Sequence, residues 1–527
     1  MRNYEDNAVH RVCCHSLYFC ITDCILGSIL VKFTLIFLLI LLTAFMDTEA
    51  KEPEKNEVTK STLPSPSITH HTLSINGKAV AYTATTGFME MKTEDGKSKA
   101  NIFYIAYTKD NEKVENRAIT FAFNGGPGSS SVWLHMGALG PKRVVFTDEG
   151  FPLPPPYSMV DNEYSWLEFT DLVFIDPVST GYSRPAGEEK KEQFHGIKED
   201  AQSIGDFIRL YMTKNTRWLS PKYLAGESYG TTRAAMLASY LQERHGMYMN
   251  GLILISCALD FSTLRFKAGH DLPYLLHFPT YTATAFYHKK LDNSLLQNLE
   301  KTLDLSRSFV EEEYTPFLWK GDKVTKDERN NIVKRIAYFT GLSEQYIEQT
   351  NYRVDIFNFT KELLRNYDRT VGRLDSRYKG IDRRSVGSSF EFDPSYDAVI
   401  YGPYAGTVNH YLHENLKFES DLPYEILTGN VHPWNWGSAS EGYTSVTESL
   451  RKAMSTNNHL KVLIANGYYD LATPFYATEY SINHMELDES LQSNIVMTYY
   501  PAGHMMYVQK KSLEQFTNDI KKFFVSK

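Results

Sequence analysis

Lys222-Tyr223-Leu224-Ala225-Gly226-Glu227-Ser228-Tyr229-Gly230, followed by TTRAAMLASYLQE over residues 231–243, decides how this 527-residue chain is read. Lys222–Ala225 reads as the end of a strand, and residues 231–243 carry apolar residues at helical spacing. Between them stands G-x-S-x-G. A strand that turns sharply into a helix leaves one side chain exposed at the tip of the turn, and the flanking glycines permit close backbone approach. A chain of this length would show roughly 0.1–0.2 such pentapeptides by chance at average Gly and Ser usage. The strand before and the helix after therefore carry the assignment, and Ser228 is the predicted nucleophile.

Working outward, short apolar runs suited to buried strands recur at AITFAF (118–123), DLVFID (171–176), GLILIS (251–256), KVLIAN (461–466) and NIVMTYY (494–500). Helical patterns lie between and after them, at 197–214, 231–246 and 512–524. This alternation predicts an α/β fold with a mostly parallel central sheet flanked by helices, and with the serine turn it predicts the α/β-hydrolase fold. From about 262 to 457 the order breaks, and helical stretches such as 293–313 and 326–349 point to a largely helical cap insertion over the C-terminal edge of the sheet, where ligands bind in such folds. Upstream, Asn76-Gly77 signals a hairpin, and 102–108 is a β-rich run.

A serine hydroxyl at neutral pH needs a general base, and the base needs an orienting carboxylate. In this fold they follow in the order Ser, Asp, His. Asp470 closes the strand pattern KVLIAN-Gly-Tyr-Tyr, and His504 follows NIVMTYY before the last helix. Both fall on loops at the same sheet edge. Among 16 histidines one alone means little, and His195, His410 and His413 also lie in plausible loops; order and strand ends taken together favour His504. Asn124-Gly125-Gly126-Pro127-Gly128 directly follows AITFAF, where backbone N–H groups can face an oxyanion. A phosphate cradle is the rival reading of that loop, but no Gly-Lys-Ser/Thr accompanies it. No metal-ligand spacing occurs among the His and Cys residues, and no cofactor is expected.

The net charge of −8 is spread without long runs of one sign, and the 55 Lys and Arg form no dense cluster, so no nucleic-acid partner is expected. Phe33–Phe45 (FTLIFLLILLTAF) is an uncharged apolar run whose length suits a signal peptide; extended back to Ile25 it approaches a membrane span. Residues 1–50 are therefore expected to be a signal peptide or an N-terminal membrane anchor, with export to a periplasmic or extracellular space. Membrane contact is expected only if that segment stays uncleaved. Residues 51–70, rich in Lys, Glu, Thr, Ser and Pro, read as a flexible linker. Four of the five cysteines precede or adjoin the apolar run, leaving Cys257 in the body, where it cannot form an internal disulfide. A disulfide-free exported body fits a bacterial envelope, and the apolar neighbours of Cys257 read as packing for an inert thiol.

Together these segments resemble the serine carboxypeptidase family, over most of the chain after about residue 70 except the cap. Asn124-Gly125-Gly126-Pro127-Gly128 resembles its N-G-G-P-G motif. Asn162–Ser183, with Tyr164-Ser165-Trp166, Asp176-Pro177-Val178 and Gly181-Tyr182-Ser183, is similar to its N-x-Y-S-W … D-x-P-V-x-x-G-F-S segment. Gly226–Tyr229 matches G-E-S-Y, and Ala502–Met505 matches A-G-H-M. The resemblance implies a Ser228, Asp470, His504 triad, an oxyanion hole from the N–H groups of Gly126 and Tyr229, and Asn124, Gly125 and Glu227 around the substrate's terminal carboxylate. It implies a peptide or small acyl substrate and hydrolysis of C-terminal peptide bonds through an acyl-enzyme on Ser228. An esterase or acyltransferase on the same fold is the alternative, and a non-enzymatic binding module a third.

The sequence also departs from the family. A second Glu just before G-P, which in many members shares a proton with the first, is replaced by Ala138 in His135-Met136-Gly137-Ala138-Leu139-Gly140-Pro141. Ser129 stands where the motif continues with Cys, so that disulfide is absent, which places the chain in a disulfide-free, bacterial-type branch. Arg233, four residues after the turn glycine's own Tyr229, is read either as a positive charge near the site or as facing solvent.

Overall fold

The computed structural model describes residues 63–437 and 443–525. The apolar run at 33–45 and the first part of the linker lie outside these residues. The chain first enters the sheet as a hairpin. β1 (Ser67–Ile75) and β2 (Lys78–Lys92) pair antiparallel with Ile75 opposite Lys78, so Asn76 and Gly77 alone make the turn. Both have positive φ, 51° and 74°, as a two-residue hairpin turn of matching twist requires. β1 begins at Ser67, so residues 67–70 belong to the sheet and not to the linker read through residue 70. Their exposure alternates between partial and full, which is why the sequence S-I-T-H carries no apolar signal.

β3 (Ser98–Lys109), β4 (Ala118–Phe123), β5 (Thr170–Ile175), β6 (Lys222–Glu227), β7 (Gly251–Ile255), β8 (Lys461–Gly467) and β9 (Ile495–Tyr500) complete the main path. Their order is β1-β2-β3-β5-β4-β6-β7-β8-β9, and a two-residue strand at Arg184–Pro185 adds to β3. The first three strands run antiparallel to their neighbours; from β5 to β9 all pairs are parallel. β4, β5 and β7 are buried at every residue, as strands covered on both faces must be.

Alternate side chains feed two cores. Ala122, Phe174, Ile253 and Ala465 point to one face; Phe121, Val173, Leu252 and Ile464 point to the other. On the second face lie α1 (Ile197–Lys214) and α2 (Tyr229–His245), packed through Phe207, Ile208, Leu237 and Leu241.

Between β7 and β8 the span read as a single cap contains segments of two kinds. α3 (Leu272–Tyr287), α4 (Leu299–Phe309), α5 (Lys326–Thr340) and α6 (Ile356–Glu362) build a core of their own from Phe278, Phe309, Ile336, Phe339 and Phe359. By contrast, α7 (Tyr401–His410) joins the first sheet core through Tyr404 and Val408. α8 (Thr447–Thr456) joins the second through Leu450, Ala453 and Met454. After β8 come α9 (Phe475–Asn483) and, beyond β9, α10 (Lys510–Val525), whose Phe516 and Ile520 cover the first face.

Candidate active site

Ser228 sits between the end of β6 and the first residue of α2 with φ 60° and ψ −129°. A non-glycine residue holds that conformation only where its surroundings enforce it. Here its N–H donates to the Ile255 carbonyl at 2.9 Å, and its carbonyl accepts from the Thr231 N–H and hydroxyl at 2.9 and 2.7 Å. Glycine makes room around it. A Cβ on Gly230 would lie 2.8 Å from the Phe123 carbonyl oxygen, and one on Gly125 would lie 2.7 Å from Gly230 N and 2.8 Å from Glu227 O. The end of β4 can therefore press directly against the serine turn. The side chain of Ser228 is half-buried at its tip.

The predicted base and carboxylate meet. His504 Nδ1 lies 2.6 Å from Asp470 Oδ2. Asp470 is fully buried, its Oδ1 accepting from the N–H groups of Ala472 and Thr473 at 2.8 and 3.0 Å. The Thr473 hydroxyl donates to Asp470 Oδ2 at 2.6 Å. These bonds leave Asp470 one orientation. Burial works against a charge on His504, but Asp470 and Glu227 together outweigh it and the imidazole pKa is raised above its ordinary value. The His504 backbone is clamped on both sides, its N–H donating to Leu374 O at 2.7 Å and its carbonyl accepting from the Ser256 hydroxyl at 2.6 Å. Next to it, the Gly503 N–H donates to Asp375 Oδ2 at 3.0 Å, and Asp375 is paired with Arg377 at 2.7 Å, both buried. Thr473, Leu374, Asp375 and Arg377 escaped the sequence reading. Thr473 stands three residues from Asp470, a spacing that could have drawn notice. Asp375 is 128 residues from Gly503, and nothing local in the sequence links them.

Asn124, at the end of β4, is buried and fixed by its own amide. Its Oδ1 accepts from the Leu134 N–H at 3.0 Å, so Nδ2 faces Glu227, donating to Oε1 at 2.9 Å. The second Nδ2–H is left for a ligand. Burial raises the Glu227 pKa to about 7, against the pull of His504 and of the groups donating to it. The Tyr229 N–H opens α2 and so has no acceptor within the helix, and Gly126 turns its peptide with φ 102°. The Ser129 hydroxyl accepts from Trp133 Nε1 at 2.8 Å and lies 2.9 and 3.2 Å from the carbonyls of Ser130 and Ile426, to which it donates.

Arg233 does not face solvent; it is a buried positive charge next to the site residues Asn124 and Tyr229. It is 1% exposed, pairs with Asp200 at 2.7 Å, and donates to the Asn124 carbonyl at 2.6 Å. Its guanidinium also lies over the rings of Phe123 and Tyr229. It therefore holds the donor loop from behind instead of facing the cavity. Cys257 is buried and its thiol is pushed up to about 12, so it carries no thiolate.

Ser228, His504, Glu227 and Asn124 all line one cavity of about 630 Å³, walled on its far side by Phe357, Arg373 and other insert residues. The serine carboxypeptidase family model matches residues 75–520. The chain belongs to this family. Among its relatives, the pheromone-processing carboxypeptidase KEX1 of Yarrowia lipolytica is 25% identical over 40% of this chain and 33% of its own length. The carboxypeptidase Y homolog of Arthroderma benhamiae is 30% identical over 28% of this chain and 27% of its own length. The matched stretches thus span a third or less of these curated relatives. Among solved structures, the proline iminopeptidase of Mycobacterium smegmatis aligns over 83% of this chain and 97% of its own, with 11% identity and a TM-score of 0.36.

Proposed function

We propose that this chain is a serine-type carboxypeptidase working through Ser228, His504 and Asp470. The observation that carries the reading is the Asp470–His504 hydrogen bond opening on the same cavity as Ser228, Asn124 and Glu227. Ser228 Oγ attacks the scissile carbonyl while His504 Nε2 takes its proton, and Asp470 holds the imidazole and stabilises its charge. The N–H groups of Gly126 and Tyr229 receive the oxyanion. His504 then returns the proton to the leaving amine as the C–N bond breaks, and water releases the acyl group by the same route. Asn124, Gly125 and Glu227 hold the substrate's terminal carboxylate, Glu227 by donating its proton. A neutral Glu227 attracts that carboxylate, whereas an ionised one repels it.

A blocked dipeptide with a free C-terminus should be cleaved with kcat/KM at least about 10²-fold above its C-terminal amide near pH 6, in line with a charge-assisted hydrogen bond pair. The advantage should shrink as pH rises through about 7, where Glu227 loses its proton. Equal turnover of both substrates would remove the carboxypeptidase reading and favour the esterase alternative.

The apolar run Phe33–Phe45 supports export, with residues 1–50 removed or retained as an anchor, and the single buried cysteine supports a disulfide-free, bacterial-type body. No helix among the described residues is long and apolar enough to cross a membrane. On expression of the full chain in a bacterium, the protein should be found outside the cytoplasm, either with its N-terminus beyond residue 45 or held in the membrane fraction by the retained segment; recovery in the cytoplasm with Met1 intact would refute export.

A further inference from the structure

Glu227 Oε2 accepts a hydrogen bond from the Tyr507 hydroxyl at 2.5 Å, and both residues are buried. Tyr507 comes from the turn three residues after His504. It reaches Glu227 through space beside Gly137. A Cβ on Gly137 would lie 2.5 Å from Tyr404 Oη and inside contact distance of the Tyr507 ring. A larger residue at 137 would therefore expel both phenols. Of the two, only Tyr507 bonds Glu227; Tyr404 Oη is buried with no hydrogen-bond partner among the described residues.

We infer that Tyr507 is a positioning residue for Glu227, a phenol doing in this chain what a second carboxyl would otherwise do. The inference rests on the reading of Glu227 as the group that meets the substrate's terminal carboxylate. A phenol differs from a carboxyl in one decisive way. Burial and the nearby Glu227 hold the Tyr507 pKa well above the ordinary tyrosine value, so it keeps its proton throughout the working range and always donates. Oε2 is thus fixed as an acceptor. Oε1 also accepts, from Asn124 Nδ2, but at 2.9 Å against 2.5 Å for Tyr507. The shorter bond keeps Oε2 as the acceptor, and a neutral Glu227 carries its proton on Oε1, beside the second Nδ2–H, where a substrate carboxylate would meet two donors. A carboxyl pair could share or lose a proton between its members; here Glu227 titrates without such a partner.

The groups facing Glu227 are His504 and Asp470 from the loops after β9 and β8, Tyr507, Tyr404 from α7, and Asn124. Of these only Tyr507 and Asn124 donate to its carboxyl. Donation by Tyr507 favours the ionised form. Its removal therefore raises the pH at which Glu227 gives up its proton.

The test uses the purified full chain, a blocked dipeptide and its amide, and pH profiles of KM and kcat. In the unaltered protein KM for the free acid is expected to rise at alkaline pH while KM for the amide stays level. Tyr507→Phe is expected to move that alkaline rise upward by about one pH unit, the size of one hydrogen bond to a charged group. It should also raise KM for the free acid at low pH, and leave kcat for the amide within about twofold. Tyr404→Phe should leave the rise where it is, and Glu227→Gln should abolish it. An unmoved rise in Tyr507→Phe, or the same shift in Tyr404→Phe, would overturn the role of Tyr507. Absence of any acid-specific rise in the unaltered protein would instead overturn the reading of Glu227. Should Tyr507→Phe fold poorly, Gly137→Ala, which must push the Tyr507 ring away from Glu227, reads the same shift; with that variant also unmoved, the inference fails.

Discussion

Replacing Ser228 with alanine is expected to lower kcat on a free-acid dipeptide by on the order of 10⁶-fold, with the thermal midpoint unchanged or slightly raised. The rate loss follows from the loss of the only nucleophile at the cavity tip. The midpoint follows from the backbone. Ser228 holds φ 60° through its N–H and carbonyl contacts, which alanine keeps, and its side chain caps no helix N–H. His504→Ala should cost nearly as much, because Asp470 and Thr473 are arranged around that imidazole alone. Residues that act as a unit lose their effect together, so the double variant should be no slower than Ser228→Ala. Titration with a fluorophosphonate provides the second readout: the unaltered protein should be labelled at Ser228 and the variant not at all. Retained activity in Ser228→Ala would end the assignment.

The largest stability change is expected at Arg233. Arg233→Met keeps the volume over Phe123 and Tyr229 but leaves Asp200, 2% exposed, without its cation. Breaking one side of a buried pair costs about 3–5 kcal/mol, far more than the pair contributes over apolar residues of the same shape. The sign of the pH dependence is fixed by Asp200. Burial already raises its pKa even with Arg233 present, and removing the cation raises it further. A carboxyl whose folded-state pKa lies above its unfolded value is tolerated while protonated and penalised once it ionises. The drop in thermal midpoint should therefore be larger at about pH 8 than at about pH 5. The variant should also lower kcat, since Arg233 anchors the Asn124 carbonyl behind the donor loop. A midpoint within a degree or so of the unaltered protein would show that the pair is dispensable.

Much of the sheet was legible because its strands are buried on both faces and so read as unbroken apolar runs: AITFAF, GLILIS and KVLIAN fall within a residue or two of β4, β7 and β8. The Asn-Gly turn was legible because positive φ at two successive residues admits few side chains. β1 was half missed because its outer residues alternate between exposed and part-exposed, which leaves no apolar imprint. Within the insert, helical periodicity revealed α4 and α5 but could not say which core each helix joins. For α7 and α8 that choice is made by Tyr404 and Leu450, which join the two sheet cores against residues far away in the chain. The same limit applies at the site. Ser228, Asp470 and His504 sit at strand ends, which periodicity locates. Asp375 and Tyr507 act through contacts with Gly503 and Glu227, 128 and 280 positions away, and only the folded chain brings them together.

Glu227 and His504 are close enough for each to bias the other's charge. On the proposed reading, catalysis on a free acid requires a neutral imidazole and a neutral carboxyl at once. That state has the same number of protons as the inert zwitterion, in which the carboxyl has handed its hydrogen to the ring. Acidity of the medium can populate or deplete the two isomers only together, and their ratio is an internal constant set by the walls around them. That constant caps the competent fraction at whatever pH the singly protonated form is most populated; raising the cap would call for altered neighbours, and a change of buffer could not do it.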